Sequence, residues 1–213
     1  MASNRISEKS IRDFLMVSLF GEGYNPKLVT NRLDDRENKI DLAIKRAYRD
    51  MNRTLRTKEH QEEWDNLKDV VILKIKNSIK KMARTEIIDS QESYDKWFDK
   101  LIEVIIGSKK VIDRKIIFKY KYGQAQKWAN MTMKYLVILK YKPIFNLIPF
   151  LHVPIDEIIV NRIVGENSKE KSKLIPWSSK LNPVNYYEFQ QKVRDKFSCP
   201  MAWEINIWNM GSI

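Results

Sequence analysis

Apolar and polar residues alternate with the period of the α-helix along most of this chain. The longest such segment covers residues 122–141, YGQAQKWANMTMKYLVILKY, and apolar side chains occupy most of its helical surface. A helix that is apolar nearly all round is usually buried in the middle of a domain. The pattern therefore predicts an all-α fold, a multi-helix globular domain built around a buried central helix.

Amphipathic patterns predict further helices on both sides of the central one. Before it they cover about 7–20, 34–55, 58–83 and 93–106, and after it about 154–164, a helix that begins at Asn182-Pro183, and 200–211. Residues 1–110 thus form an N-terminal helical region and residues 111–213 a C-terminal helical region. We expect the two to fold as one compact unit.

Three segments have weaker patterns. Alternation within 111–122, VIDRKIIFKYKY, suits a strand, but no partner strand is evident, so a helix or an extended lead-in to the central helix is favoured. Pro143 and Pro149 are expected to frame a loop, and Pro154 to occupy the first turn of the helix through 164. The polar stretch 165–173 is expected to be an exposed linker.

The chain is strongly basic, since 39 Lys and Arg residues face 27 Asp and Glu residues and give a formal net charge of +12. Such a balance favours an anionic partner, either nucleic acid, DNA above all, or a nucleotide-like anion. Arginines over 46–53 and lysines over 73–84 could together form a groove for phosphates. Alternatively, these side chains form a solvated surface.

Cysteine and histidine are scarce. Cys199 is the single cysteine of the sequence, which excludes an intrachain disulfide and a cysteine-only zinc site. No metal site and no cofactor are expected.

Because no signal-peptide core and no membrane-length apolar run occur in the sequence, we expect a cytoplasmic protein without a membrane partner.

The central helix keeps a line of polar residues on one face. Gln124, Lys127, Asn130 or Met131, and Lys134 recur every three to four residues, which places them on the same side. An amine in a mostly apolar helix lies at a rim or has a partner, because burying it alone costs several kcal/mol. This face is the leading candidate for a functional site.

Three segments resemble the helix-hairpin-helix DNA glycosylases of the endonuclease III type. They are GQAQKWANM over 123–131, VPID over 153–156 with Asn161-Arg162 behind it, and AWEINIWNMG over 202–211. The resemblance covers residues 123–211. The second glycine of the hairpin and the iron–sulfur cysteines of that family do not occur in this chain.

The resemblance implies a two-lobed, all-α enzyme that flips a damaged base and hydrolyses its glycosidic bond. Lys127 would be the amine nucleophile that forms a Schiff base with the sugar, and Asp156 the carboxylate that assists it. His152 could face either of these two residues. The candidate residues for binding nucleic acid or a ligand are Gln124, Trp128, Asn130, Lys134, His152 and Arg162.

Two other classes of function fit the same residues. A non-catalytic protein could bind a nucleotide or another anionic small molecule at Lys127 and the aromatic side chains near it. A helical interaction protein could use an apolar face. In either case Lys127 is a structural or ligand-binding cation, and Asp156 is a carboxylate favoured by the N-terminus of a helix.

Overall fold

The computed structural model describes residues 15–21, 33–53, 55, 61–112 and 115–209. Before the central helix the elements are α1 (15–20), α2 (Leu33–Asn52), α3 (Gln61–Thr85), α4 (Gln91–Ile106), β1 (Lys109–Ile112) and β2 (Lys115–Lys119). They continue with α5 (Tyr122–Ile138), a 3-10 helix (Lys142–Phe150), α6 (Glu157–Val164), α7 (Lys171–Leu174), α8 (Trp177–Lys180), α9 (Pro183–Lys196) and α10 (Pro200–Asn209). The all-α prediction is confirmed, with one small hairpin added.

The central helix α5 is buried, as its all-round apolar pattern predicts. Every residue from 123 to 136 is buried, and α2, α4 and α8 pack around it. Trp128 shows how the packing is fixed, because its Nε1 donates a hydrogen bond to the Ile44 carbonyl at 3.1 Å. The helix ends at Ile138, before the predicted 141, and Lys140 then turns the chain with a φ of 54°.

A continuous hydrophobic core joins the two halves of the sequence. It includes Ile44 of α2, Ile75 of α3 and Phe98 of α4 from the first 110 residues, and it continues through α5 to Phe189 of α9. None of the described helices combines the length and apolar character that a membrane crossing requires.

Residues 109–112 and 115–119 pair as antiparallel strands, so the helix alternative for 111–122 is wrong there, while β2 is extended and leads into α5. Lys109 pairs with Lys119 and Val111 with Ile116, with a register shift between the two pairs. The partner strand lies immediately upstream. Phe118 and Tyr120 turn inward against Trp64 of α3, with ring centroids 4.7 and 5.5 Å away, and this packing secures the strand.

The proline-rich segment differs from the prediction in two places. Pro143 and Pro149 lie within a 3-10 helix instead of a loop. Pro154 lies in an extended stretch, and α6 begins only at Glu157 with Asp156 as its N-cap. The Pro154 prediction fails because the Asp156 side chain, which accepts a hydrogen bond from the backbone of the first turn, sets the helix start.

Two other predictions concern the ends of helices. The stretch 165–173 is mostly exposed, but its last residues enter the short helix α7. The helix predicted over 7–20 is described from residue 15 onward, and residues 7–14 and Gly211 lie outside the described part of the chain. Asn182 caps α9 by accepting a hydrogen bond from the Asn185 N–H at 3.0 Å, as predicted for Asn-Pro.

Candidate functional site

One face of α5 forms the floor of a cleft with a volume of about 580 Å³. Side chains on this floor are spaced three and four residues apart, as residues on one helical face must be. They are Lys127, Met131, Lys134, Tyr135 and Ile138. The walls are formed by Leu19 of α1, Arg46 and Asp50 of α2, Arg53 just after α2, Asp156, Glu157 and Ile158 at the start of α6, Trp177 of α8, and Ile205 of α10.

Lys127 and Asp156 form an ion pair in this cleft. The Lys127 Nζ lies 2.6 Å from the Asp156 Oδ2, and the two side chains are 9% and 16% exposed. The other oxygen, Oδ1, accepts a hydrogen bond from the Ile159 N–H at 3.0 Å and so caps α6. This cap hydrogen bond holds the carboxylate so that its other oxygen, Oδ2, faces the amine.

Trp177 closes the cleft beside the amine. Its ring centroid lies 5.9 Å from the Lys127 Nζ, within the range of a cation–π contact. The short helix α8 comes this close because residue 123 is glycine. A Cβ at Gly123 would lie 1.8 Å from the Trp177 carbonyl oxygen, which is far inside van der Waals contact. Gly123 therefore allows the close approach of two backbones.

Gly123→Ala is expected to force α8 away from α5 and to lower the free energy of unfolding by about 1–3 kcal/mol, the usual cost of overpacking. Because Trp177 belongs to α8, its contact with Lys127 should be lost as well. Urea unfolding would measure the first effect, with Ser178→Ala as a control that adds no bulk in the same helix. Wild-type stability in the alanine variant would contradict the close approach at Gly123.

A second buried ion pair lies one to two turns further along α5. The Lys134 Nζ is 2.8 Å from the Glu204 Oε1 of α10, and the two side chains are 8% and 1% exposed. It fixes α10, and with it Ile205, at the wall of the cleft.

A third cluster is centred on Asp50 of α2. Its Oδ1 accepts from Arg46 at 2.6 Å and from Arg53 at 3.3 Å, and its Oδ2 accepts from the Tyr135 hydroxyl. Burial, together with the hydrogen bond to Asp50, raises the pKa of Tyr135, so that its hydroxyl stays protonated as a donor. The Arg46 guanidinium also lies over the Tyr135 ring, 5.5 Å from its centroid.

Asn130, Trp128 and Gln124 were predicted to bind a ligand, but they do not line the cleft. Asn130 points away from the cleft, and its Nδ2 donates to the Tyr186 hydroxyl at 2.9 Å. Trp128 is a core residue, and the Gln124 Oε1 accepts from the Lys121 N–H at 3.0 Å beside the helix start. Of the alternatives Asn130 and Met131, it is Met131 that shares the face of Lys127 and Lys134.

Two buried glutamines that the sequence analysis did not single out position Asp156. The Gln126 side chain donates to the Ile155 carbonyl at 3.1 Å and accepts from its N–H at 3.2 Å. Gln190 of α9 does the same at Val153, with distances of 2.8 and 3.1 Å. Amide side chains thus replace a neighbouring strand along the extended stretch 151–156 and satisfy its buried backbone groups. Helical spacing gives no signal for such contacts.

His152 does not face Lys127 or Asp156, contrary to the prediction. Its Nε2 lies 2.8 Å from the Asp95 Oδ1 of α4, and its Nδ1 lies 2.8 Å from the Tyr186 hydroxyl of α9. Burial lowers the pKa of His152, although Asp95 acts in the opposite direction. The histidine therefore belongs to a buried polar network that joins α4, α9 and the extended stretch.

Stability is expected to fall as the pH drops below about 6.5, because the buried His152 takes up a proton less readily than the same residue in the unfolded chain. The slope approaches about 1.4 kcal/mol per pH unit for one proton. The pKa of Asp95 is lowered, so the loss of stability that its own protonation causes occurs at a more acidic pH. Urea unfolding between pH 7.5 and 5 should show this loss in the wild type and a flatter profile in His152→Gln; parallel profiles would exclude His152 as the cause.

Arg162 and the lysines of α3 do not line the cleft, whereas Arg46 and Arg53 do. Arg162 is exposed in the last turn of α6. Two of the α3 lysines pair with carboxylates of α2, with Lys76 2.7 Å from Asp41 and Lys80 bonded to Glu37. These contacts reduce the positive charge that a phosphate groove between α2 and α3 could use, and that groove stays a prediction.

Comparison of the chain with protein-family models, curated proteins and solved structures gives no significant match. The resemblance to glycosylases thus rests on its three sequence segments alone.

Proposed function

We propose that the cleft is the active site of a DNA glycosylase with lyase activity, in which Lys127 is the nucleophile and Asp156 its proton acceptor. The observation that carries the proposal is the 2.6 Å contact between the Lys127 Nζ and the Asp156 Oδ2 inside the cleft. An amine nucleophile needs a base within hydrogen-bond reach, and this carboxylate meets that requirement.

The reaction starts with the transfer of one ammonium proton from Lys127 to Asp156. The freed lone pair attacks C1′ of the sugar while the bond from C1′ to the base breaks, and the base leaves with the bonding electrons and takes up a proton. The nitrogen then gives a proton to O4′ as the C1′–O4′ bond breaks, and its lone pair forms the C=N bond of the Schiff base. Borohydride reduces this intermediate to a stable amine that links protein and DNA.

The walls of the cleft suit a base and its sugar better than a free nucleotide. Apolar atoms make up most of the lining surface, although half of the lining residues are charged, and the cleft volume of about 580 Å³ falls within the usual range for small-ligand sites. The Trp177 ring beside Lys127 provides a surface on which a flipped base could stack. The four cations that line the cleft contact three carboxylates, with Arg46 and Arg53 sharing Asp50, so most of their charge is balanced inside the cleft.

Borohydride trapping on duplexes that carry abasic, oxidised or deaminated sites tests the proposal. We expect a covalent adduct with the wild-type protein and none with Lys127→Arg, which keeps the cation beside Asp156 but cannot form the Schiff base. Lys142→Ala, which removes an exposed lysine beyond the far end of α5, should trap as well as the wild type. An adduct that persists in Lys127→Arg would overturn the assignment of the nucleophile.

A second candidate is a non-catalytic site for a nucleotide or a related anion. The ion pair of Lys127 argues against a nucleophilic role, since an ammonium held by a carboxylate has no free lone pair. In this case a nucleotide panel would bind saturably to wild-type protein and to Lys127→Arg, and no substrate would give an adduct.

A further inference from the structure

The β-hairpin of β1 and β2 concentrates positive charge next to the central helix. Between residues 109 and 122, KKVIDRKIIFKYKY, there are six Lys or Arg residues and one Asp. Lys109 and Lys119 are exposed and lie directly opposite each other in the ladder. Side chains in such a pair are about 4.5–5.5 Å apart at Cβ, and like charges there destabilise a hairpin.

The packing of the hairpin fixes which side faces outward. Phe118 and Tyr120 are buried against Trp64, so the alternating residues Lys119 and Lys121 face solvent. Lys109, Lys119 and Lys121 form no ion pair with any described residue, in contrast to the four cations of the cleft. An anion bound between them would relieve their repulsion.

The hairpin and the reactive lysine belong to one continuous stretch of chain. Lys121 is the N-cap of α5, and Lys127 follows six residues later, about 9 Å along the axis at 1.5 Å per residue. An open groove of about 510 Å³ runs between this strand end and α8, lined by Lys119 and Lys121 on one side and Ser179 on the other, with Glu103 also in its lining. The same helix α8 carries Trp177 on the wall of the cleft.

We infer that the outward face of this hairpin, formed by Lys109, Lys119 and Lys121, holds the phosphate backbone of the nucleic acid whose base enters the cleft. The inference rests on the proposed function, and it supplies the phosphate contacts that the cleft itself does not provide. A distance of about 9 Å corresponds to two or three steps of a strand that rises 3.4 Å per nucleotide. The hairpin thus contacts phosphates close to the flipped nucleotide.

The salt dependence of DNA binding tests this surface. Lys109→Thr combined with Lys119→Thr removes two charges and keeps residues that favour strands. Fluorescence anisotropy should show the slope of log K against log salt reduced by about 1.8 for duplex DNA, or about 1.4 for a single strand. The matched control, Lys140→Gln with Lys142→Gln, removes the same charge beyond the other end of α5 and should leave the slope unchanged.

Each result separates this inference from the proposed function. A reduced slope in the hairpin variant alone, with its Lys127 adduct still trapped at saturating DNA, supports the inference. A wild-type slope in the hairpin variant, or an equal reduction in the control, overturns the inference about the hairpin. The active-site proposal is unaffected by that result as long as the wild-type protein still gives a trapped adduct. Wild-type protein with neither salt-dependent binding nor an adduct overturns both.

Discussion

Lys134→Met is expected to lower the free energy of unfolding by about 3–5 kcal/mol, because it removes the ammonium that compensates a buried carboxylate. The Lys134 Nζ lies 2.8 Å from the Glu204 Oε1, and the Glu204 side chain is 1% exposed. Methionine is similar to lysine in length and fills the same space without a charge. Equilibrium urea unfolding followed by circular dichroism would measure the change.

Two controls show whether burial is the cause. Lys96→Met breaks an ion pair of similar length, 2.6 Å to Glu92, whose side chains are 69% and 78% exposed, and should cost less than about 1 kcal/mol. Lys134→Met combined with Glu204→Leu replaces the whole buried pair with apolar side chains and should recover most of the lost stability. If Lys134→Met were no less stable than Lys96→Met, the buried pair would contribute nothing to stability.

Sequence patterns predicted the helices well because each pattern is local. The all-round apolar surface of α5 and the cap at Asn182 follow from neighbours a few residues away. The hairpin was missed because β2 is secured by Phe118 and Tyr120 against Trp64, more than fifty residues earlier. Alternation within 111–122 suits a strand, but a local pattern does not show the distant residue that secures it.

The sequence predicted only part of the candidate site, because helical spacing is a local pattern and the partners of these side chains are distant in sequence. Helical spacing correctly placed Lys127 and Lys134 on one face, but it could not decide between Asn130 and Met131 at the intermediate position. The acidic partner of Lys134 comes from α10, seventy residues later. Likewise, His152 took its partners from α4 and α9, although Asp156 is much closer in sequence. The partners of Lys134 and His152 are set by contacts across the core, and sequence spacing does not show which residues meet there.

Asp156→Asn is expected to slow formation of the borohydride-trapped adduct by about 10²–10⁴-fold, the usual contribution of a positioned general base. The two oxygens of Asp156 have separate tasks, since Oδ2 contacts Lys127 and Oδ1 caps α6 at the Ile159 N–H. An asparagine keeps an oxygen for the cap and is as good an N-cap residue as aspartate. The variant therefore removes the base while α6 keeps its start.

Asp156→Ala separates the two tasks, because it removes the cap as well and should cost about 1 kcal/mol more in unfolding free energy than the asparagine variant. Single-turnover trapping rates should nevertheless fall to a similar level in both variants, since both lack the proton acceptor. If the asparagine variant trapped DNA at the wild-type rate while the alanine variant lost only stability, Asp156 would be a helix cap alone. Lys127 would then need another base, and Glu157, which also lines the cleft, is the carboxylate to replace next.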